Sequence, residues 1–299
     1  MNRRTILILA LLVFLTFSTY ASNLAFAGYL YGVSYDFSNP QIPDGVPYFC
    51  RIDPADGSYV LLSQAPRIRG MAYNNSDGYL YGMGYDYDGL FRINPADGSY
   101  DVISVPGVPE VTNGLAYNTN DGYLYGAGST RTIPIPGNGD LFRIDLTDSS
   151  YDFISEATGY VMGLAYNSSN GYLYGTNSSY LYRINPTDGS STRISDELKF
   201  VRGLTFNSSD GYLYGLQTAV NWPNPPDNTP GSLYRIDPTS GGYVLVSDNC
   251  APNVNALAYI PEPATFLLFA FAAILLRKND KPAHSIRLKY VECDESHQL

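Results

Sequence analysis

Between Gly28 and Ile260 the chain is written in short apolar bursts rich in Tyr, Leu, Ile and Phe, separated by Asp-Gly, Asn-Gly or Pro-x-Asp-Gly. Bursts of this composition bounded by such turn residues predict β-strands joined by hairpins. The bursts recur in a fixed order. GYLYG stands at Gly28, Gly78, Gly122, Gly171 and Gly211, spaced 40 to 50 residues apart. Four copies follow a segment that reads GMAYN, GLAYN, GLAYN or GLTFN and a turn (NSDG, TNDG, SSNG, SSDG). All five precede FCRIDP, LFRINP, LFRIDL, LYRINP or LYRIDP and a last segment of the ADGSYVLLS type. Each unit therefore predicts four strands.

Units of this length with four strands each specify an all-β fold, a five-bladed β-propeller of four-stranded blades. Small Gly-Leu-Ala segments suit the inner strands near a crowded axis, with bulky Tyr expected in the wider outer zone. The first unit opens directly at GYLYG and lacks an inner strand. Its match, Ala256-Leu257-Ala258-Tyr259, stands at the far end, so the first blade is expected to be completed by the C-terminal strand, which removes open sheet edges.

In a propeller of this strand order the hairpins between strands one and two and between three and four lie on one face. Here that face carries near-identical turns, and the variation falls on the other. The connections after GYLYG are long in blade 1 (34 to 47), blade 3 (127 to 140) and blade 5 (216 to 232). Function concentrates in loops held on a rigid scaffold, which makes the variable face the expected site. The recurrent Arg51, Arg92, Arg143, Arg183 and Arg235, and the Asp or Asn two residues after each, read instead as pairing and turn-capping groups.

Composition narrows the chemistry. The chain holds 28 Tyr and 28 Gly but 2 His, His284 and His297, both beyond the repeats, so Ser-His and His-metal mechanisms are excluded for the repeat body. A formal charge of -10 argues against nucleic acid as a partner. DYDG at 86 to 89 lacks the ligand set of a calcium loop, and neither metal nor cofactor is expected. A glycoside hydrolase or lyase would need carboxylates aimed into the funnel. The positions just before the inner strands read Arg69, Asn113, Met162, Arg202 and Asn255, with no acid among them. The variable loops do hold Asp36, Asp44, Asp86, Glu110, Glu156, Asp196, Glu197 and Asp227, so hydrolysis stays the runner-up to binding, with a structural coat or matrix role third.

The two ends give an address. MNRRTILILALLVFLTF, followed by Ala25-Phe26-Ala27, has the order of a secretory signal peptide over residues 1–27, with cleavage after Ala27 or Ala21. At the other end IPEPATFLLFAFAAILLRKND places Pro261, Glu262 and Pro263 before an apolar run that ends at Arg277 and Lys278. Residues 261–278 resemble the PEP-CTERM sorting tail of secreted proteins in Gram-negative, exopolysaccharide-making bacteria. The resemblance implies export, transient anchoring in the inner membrane, an exosortase-type processing enzyme as partner, and release to the cell surface or medium. A polar extension, 279–299, departs from the family's usual short ending. The repeat core also resembles many secreted bacterial propellers of unknown function.

These readings predict an exported, non-catalytic propeller at 28–260 that binds an exopolysaccharide or an envelope protein. Arg67, Arg69, Lys199 and Arg202 lead into inner strands and suit carboxylate or sulfate groups, while Trp222 and Tyr35, placed on long loops, suit stacking on sugar rings. Cys50 takes a place filled by Phe or Tyr in the other blades, and Cys250 follows blade 5, the neighbour of blade 1 in a closed ring. An exported chain meets an oxidising compartment, so Cys50 and Cys250 form a candidate disulfide.

Overall fold

The computed structural model describes residues 28–36, 45–84, 89–109, 111–129, 139–156, 161–177, 179–195, 198, 201–217 and 230–262. Blade 1 contains β1 (Tyr29–Asp36), β2 (Val46–Ile52) and β3 (Tyr59–Gln64). Blade 2 follows with β4 (Ile68–Asn74), β5 (Tyr79–Gly84), β6 (Leu90–Ile93) and β7 (Tyr100–Ile103). Blade 3 is β8 (Val111–Tyr117), β9 (Leu124–Ser129), β10 (Asp140–Asp145) and β11 (Ser150–Glu156). Blade 4 is β12 (Gly163–Asn167), β13 (Tyr172–Thr176), β14 (Leu181–Ile184) and β15 (Ser191–Arg193). Blade 5 is β16 (Val201–Asn207), β17 (Tyr212–Gln217), β18 (Gly231–Ile236) and β19 (Tyr243–Cys250). The last strand, β20 (Ala256–Ile260), joins the first sheet, whose order is β20-β1-β2-β3. All five sheets are antiparallel and four-stranded, as the repeat requires.

Closure is made by β20. It pairs with β1 in a register that sets Leu30 opposite Tyr259 and Gly32 opposite Leu257. It also packs against the inner strands β16 and β4, so the five inner strands form an unbroken ring around the axis. Hydrophobic packing follows the same ring, with one buried cluster at each seam between neighbouring blades. At the blade 5 to blade 1 seam, for example, Leu216, Leu233 and Cys250 meet Leu30, Cys50, Ile52, Leu257 and Tyr259. Blade faces are apolar because each is covered by the next blade, and burial of that surface drives their association.

The small inner-strand residues have a steric cause. A Cβ on Gly114 would lie 2.7 Å from Leu164 Cβ in the next blade, and one on Gly203 would lie 2.9 Å from Leu257 Cβ. Glycine thus sets the distance between inner strands. At the closure the position belongs to Ala256, which shares a cluster with Met71.

Candidate functional site

The face that carries the repeated turns is occupied by structural work. In the 3–4 turns, the Asp53, Asn94, Asp145, Asn185 and Asp237 side chains accept from the backbone N–H two residues on. The recurrent arginines stack on the first Tyr of each GYLYG copy. Their guanidinium carbons lie 3.6 to 4.8 Å from the ring centroids of Tyr29, Tyr79, Tyr123, Tyr172 and Tyr212. A cation over an aromatic face contributes about 0.5–1 kcal/mol at exposed sites, and five copies brace five blades.

The second Tyr of GYLYG reaches back to its own turn. Tyr81, Tyr125 and Tyr214 donate their hydroxyls to the carboxylates of Asp77, Asp121 and Asp210 at 2.6 to 2.8 Å. Burial, and then the bond to Asp121, push the Tyr125 phenol from its ordinary 10.0 up to about 12. Burial and the same kind of carboxylate bond push Tyr81 and Tyr214 upward as well. The folded state favours the neutral phenol, so its stabilising effect is complete below pH 10.0 and is lost as pH rises through about 12. Urea midpoints should fall steeply across that window. A Tyr125→Phe variant, weaker at neutral pH, should lose less over the same rise.

On the opposite face the strand starts are irregular in a consistent way. The β4–β5 register skips Arg69, the β8–β9 register skips Asn113, and the β16–β17 register skips Arg202. Each is the extra residue of a bulge, which re-aims a side chain at the end of an inner strand. Arg69 Nη1 donates to Asn113 Oδ1 at 2.9 Å, and Arg202 Nη1 donates to Asn255 Oδ1 at 3.3 Å. Both bonds bridge neighbouring blades at the variable-face ends of the inner strands. Arg67, half-buried, lies in the connection into β4. Lys199 and Trp222 lie outside the described residues, as do Asp196 and Glu197.

Tyr35 departs from expectation. Strand β1 continues to Asp36, so Tyr35 belongs to the blade and not to the long loop. It is 8% exposed and donates its hydroxyl to the Ile68 carbonyl at 2.9 Å, joining blades 1 and 2. A ring so enclosed offers no open surface for stacking. The other long connections are also shorter than the repeats suggested, because β9 runs to Ser129 and β17 to Gln217. Cys50 and Cys250 share the seam cluster between blades 5 and 1, and both are free thiols, with no bridge between them in this structure. Cys50 Sγ donates to the Gly32 carbonyl at 3.3 Å, and burial pushes the Cys250 thiol up to about 11. Pro261 and Glu262 follow β20 directly, whereas Pro263, Arg277 and Lys278 lie outside the described residues.

A cavity of about 200 Å³ opens on the axis, on the turn-bearing face. Tyr73, Tyr117, Tyr166, Phe206 and Tyr259, one from each inner strand, line it together with Asn75, Thr119, Ser168, Ser208 and Pro261. Tyr is therefore not confined to the outer zone. Its lining residues recur from blade to blade, and a repeated residue reads as scaffold in the sequence.

A family model described as a repeat of unknown function, DUF6923, matches residues 70–203, from the inner strand of blade 2 to that of blade 5. The chain is a β-propeller repeat protein. No curated protein matches it. A solved chain from a nidogen/laminin complex is similar at 12% identity over 77% of this chain and 97% of that chain, with a TM-score of 0.49. Among the described residues no group of three or more His, Cys, Asp or Glu is placed to hold a metal ion. No helix among them is long and apolar enough to cross a membrane, and both apolar terminal runs lie outside them.

Proposed function

We propose that this propeller is an exported, non-catalytic binding module that takes an acidic polysaccharide at the axial mouth of its variable-loop face. The observation that carries the reading is the ring of inner-strand starts, where Arg69 and Arg202 each donate to an asparagine of the next blade. A guanidinium held in a fixed orientation is suited to bidentate contact with carboxylate or sulfate. Export and exosortase processing rest on the residue pattern of the two ends. A binding role suits the ring better than hydrolysis does, because its five positions hold no carboxylate.

The test is a salt series with a uronate-containing and a neutral polymer, using wild type and an Arg69→Ala, Arg202→Ala double variant. Preferential binding of the uronate polymer, weakened by salt, is expected. Two charge-assisted contacts at about 1.5–3 kcal/mol each imply a loss of roughly a hundredfold or more in the double variant. Equal binding of both polymers, indifferent to salt and to the double change, would overturn the reading and favour an envelope protein as the partner of that face.

A further inference from the structure

The structure assigns a second binding site to this protein: the axial cavity on the turn-bearing face, which we infer holds one ring of a neutral sugar. In the 1–2 turns each position but one has a structural task. Asn74, Asn118, Asn167 and Asn207 open the turns, and their side-chain oxygens accept from the backbone N–H two residues on. In third place, Ser76 and Ser209 bond the Tyr117 and Tyr259 hydroxyls of the following blades at 3.1 and 2.6 Å. In fourth place, Asp77, Asp121, Asn170 and Asp210 cap the backbone N–H two residues on. In fifth place, Gly78, Gly122, Gly171 and Gly211 adopt φ of 78 to 81°.

The second place is the exception. Asn75, Thr119, Ser168 and Ser208 are exposed, line the cavity, and among the described residues bond no other side chain. A turn position with no structural task could carry any exposed residue. Here it carries a small hydrogen-bonding side chain in all four blades that have the turn, and Pro261 completes the rim in the fifth.

The lining decides the ligand class. Aromatic rings from the five inner strands form the wall, and Tyr117 and Tyr259 are held in place by their bonds to Ser76 and Ser209. Among the described residues no Asp, Glu, Lys or Arg lines the cavity; Asp77, Asp121 and Asp210 accept from Tyr81, Tyr125 and Tyr214, and Glu262 follows the rim residue Pro261. An anionic ligand would enter without a counter-charge, at a desolvation cost. A quaternary ammonium would suit the aromatics but leave the four polar side chains unanswered. A neutral sugar offers an apolar ring face to the wall and hydroxyls to the rim. At about 200 Å³ the space falls below the usual range for drug-sized ligands and fits a single ring.

The experiment titrates the full chain with the methyl glycosides of glucose, galactose and mannose, with methyl glucuronide and choline as controls, by saturation-transfer NMR and calorimetry. Saturable millimolar binding of at least one neutral glycoside is expected, with neither control competing. A Ser168→Trp, Ser208→Trp variant, which fills the mouth from exposed positions, should abolish it. A Thr119→Val, Ser168→Ala, Ser208→Ala variant, which removes hydroxyls without filling the space, should weaken it at least tenfold. The Arg69→Ala, Arg202→Ala variant should bind the glycoside as wild type does, which separates this site from the one on the opposite face. Absence of saturable binding of all three glycosides to wild type, binding that survives both the filled and the hydroxyl-free mouth, or equal binding of the glucuronide would overturn the assignment.

Discussion

A chain that ends before Asn255 is expected to lose cooperative unfolding, while one that ends after Glu262 keeps it. Strand β20 gives Leu257 and Tyr259 to one seam and Ala256 and Ala258 to the next. Its loss also unpairs the inner edge of β1 and leaves β4 and β16 facing an open gap. Removing a buried Leu or aromatic side chain costs about 2–5 kcal/mol, so losing both at once approaches the whole 5–15 kcal/mol margin of a typical domain. The exposed edge of β1 would also template aggregation. Thermal melts and size-exclusion profiles of the two truncations make the comparison. An unchanged melt for the shorter chain would show that the ring does not depend on its last strand.

The second large effect is expected from Gly114→Val. The new Cβ would lie 2.7 Å from Leu164 Cβ and 2.8 Å from Leu164 N, and the latter, a backbone atom, has little room to move. Overpacking of a fitted core costs about 1–3 kcal/mol, and a clash between two inner strands of a closed ring belongs at or above the upper end. Ser168→Ala, at an exposed turn position, should stay within about 0.5 kcal/mol of wild type. Urea denaturation of the three proteins tests the contrast. Near-equal midpoints would mean that the inner strands are not held at the separation glycine allows.

Much of the architecture is legible in the sequence because a repeat writes its own alignment. The five GYLYG copies and the stray Ala-Leu-Ala-Tyr at the far end define both the blade count and the closure, and the structure follows them strand for strand. The Arg and Asp of the third segment read as structural groups for the same reason, and Arg92 over Tyr79 bears this out. What escapes the sequence is the register at strand ends. The bulges at Arg69, Asn113 and Arg202 depend on how β4, β8 and β16 meet their partners, which no local pattern reports. Tyr35 falls in the blade and not in the loop because β1 outlasts the repeated motif, and its hydroxyl reaches the Ile68 carbonyl across the seam. The axial cavity did leave a signal, the small polar residue at the second turn position. Its meaning emerges only once the structural tasks of the other four positions are known.

On the proposed function the outer strands are scaffold and an acidic polymer is recognised at the axial end of the variable face. Backbone amide NMR of the protein during titration with a uronate-containing polymer tests it most directly. Shifts are expected to concentrate at Arg67, Arg69, Asn113, Arg202 and Asn255, with the outer strands β3 and β19 silent. Those outer strands expose Leu61, Leu62, Val244 and Leu245, an alternative surface for a partner. Shifts that gather there and spare the inner-strand starts would contradict recognition at the axis.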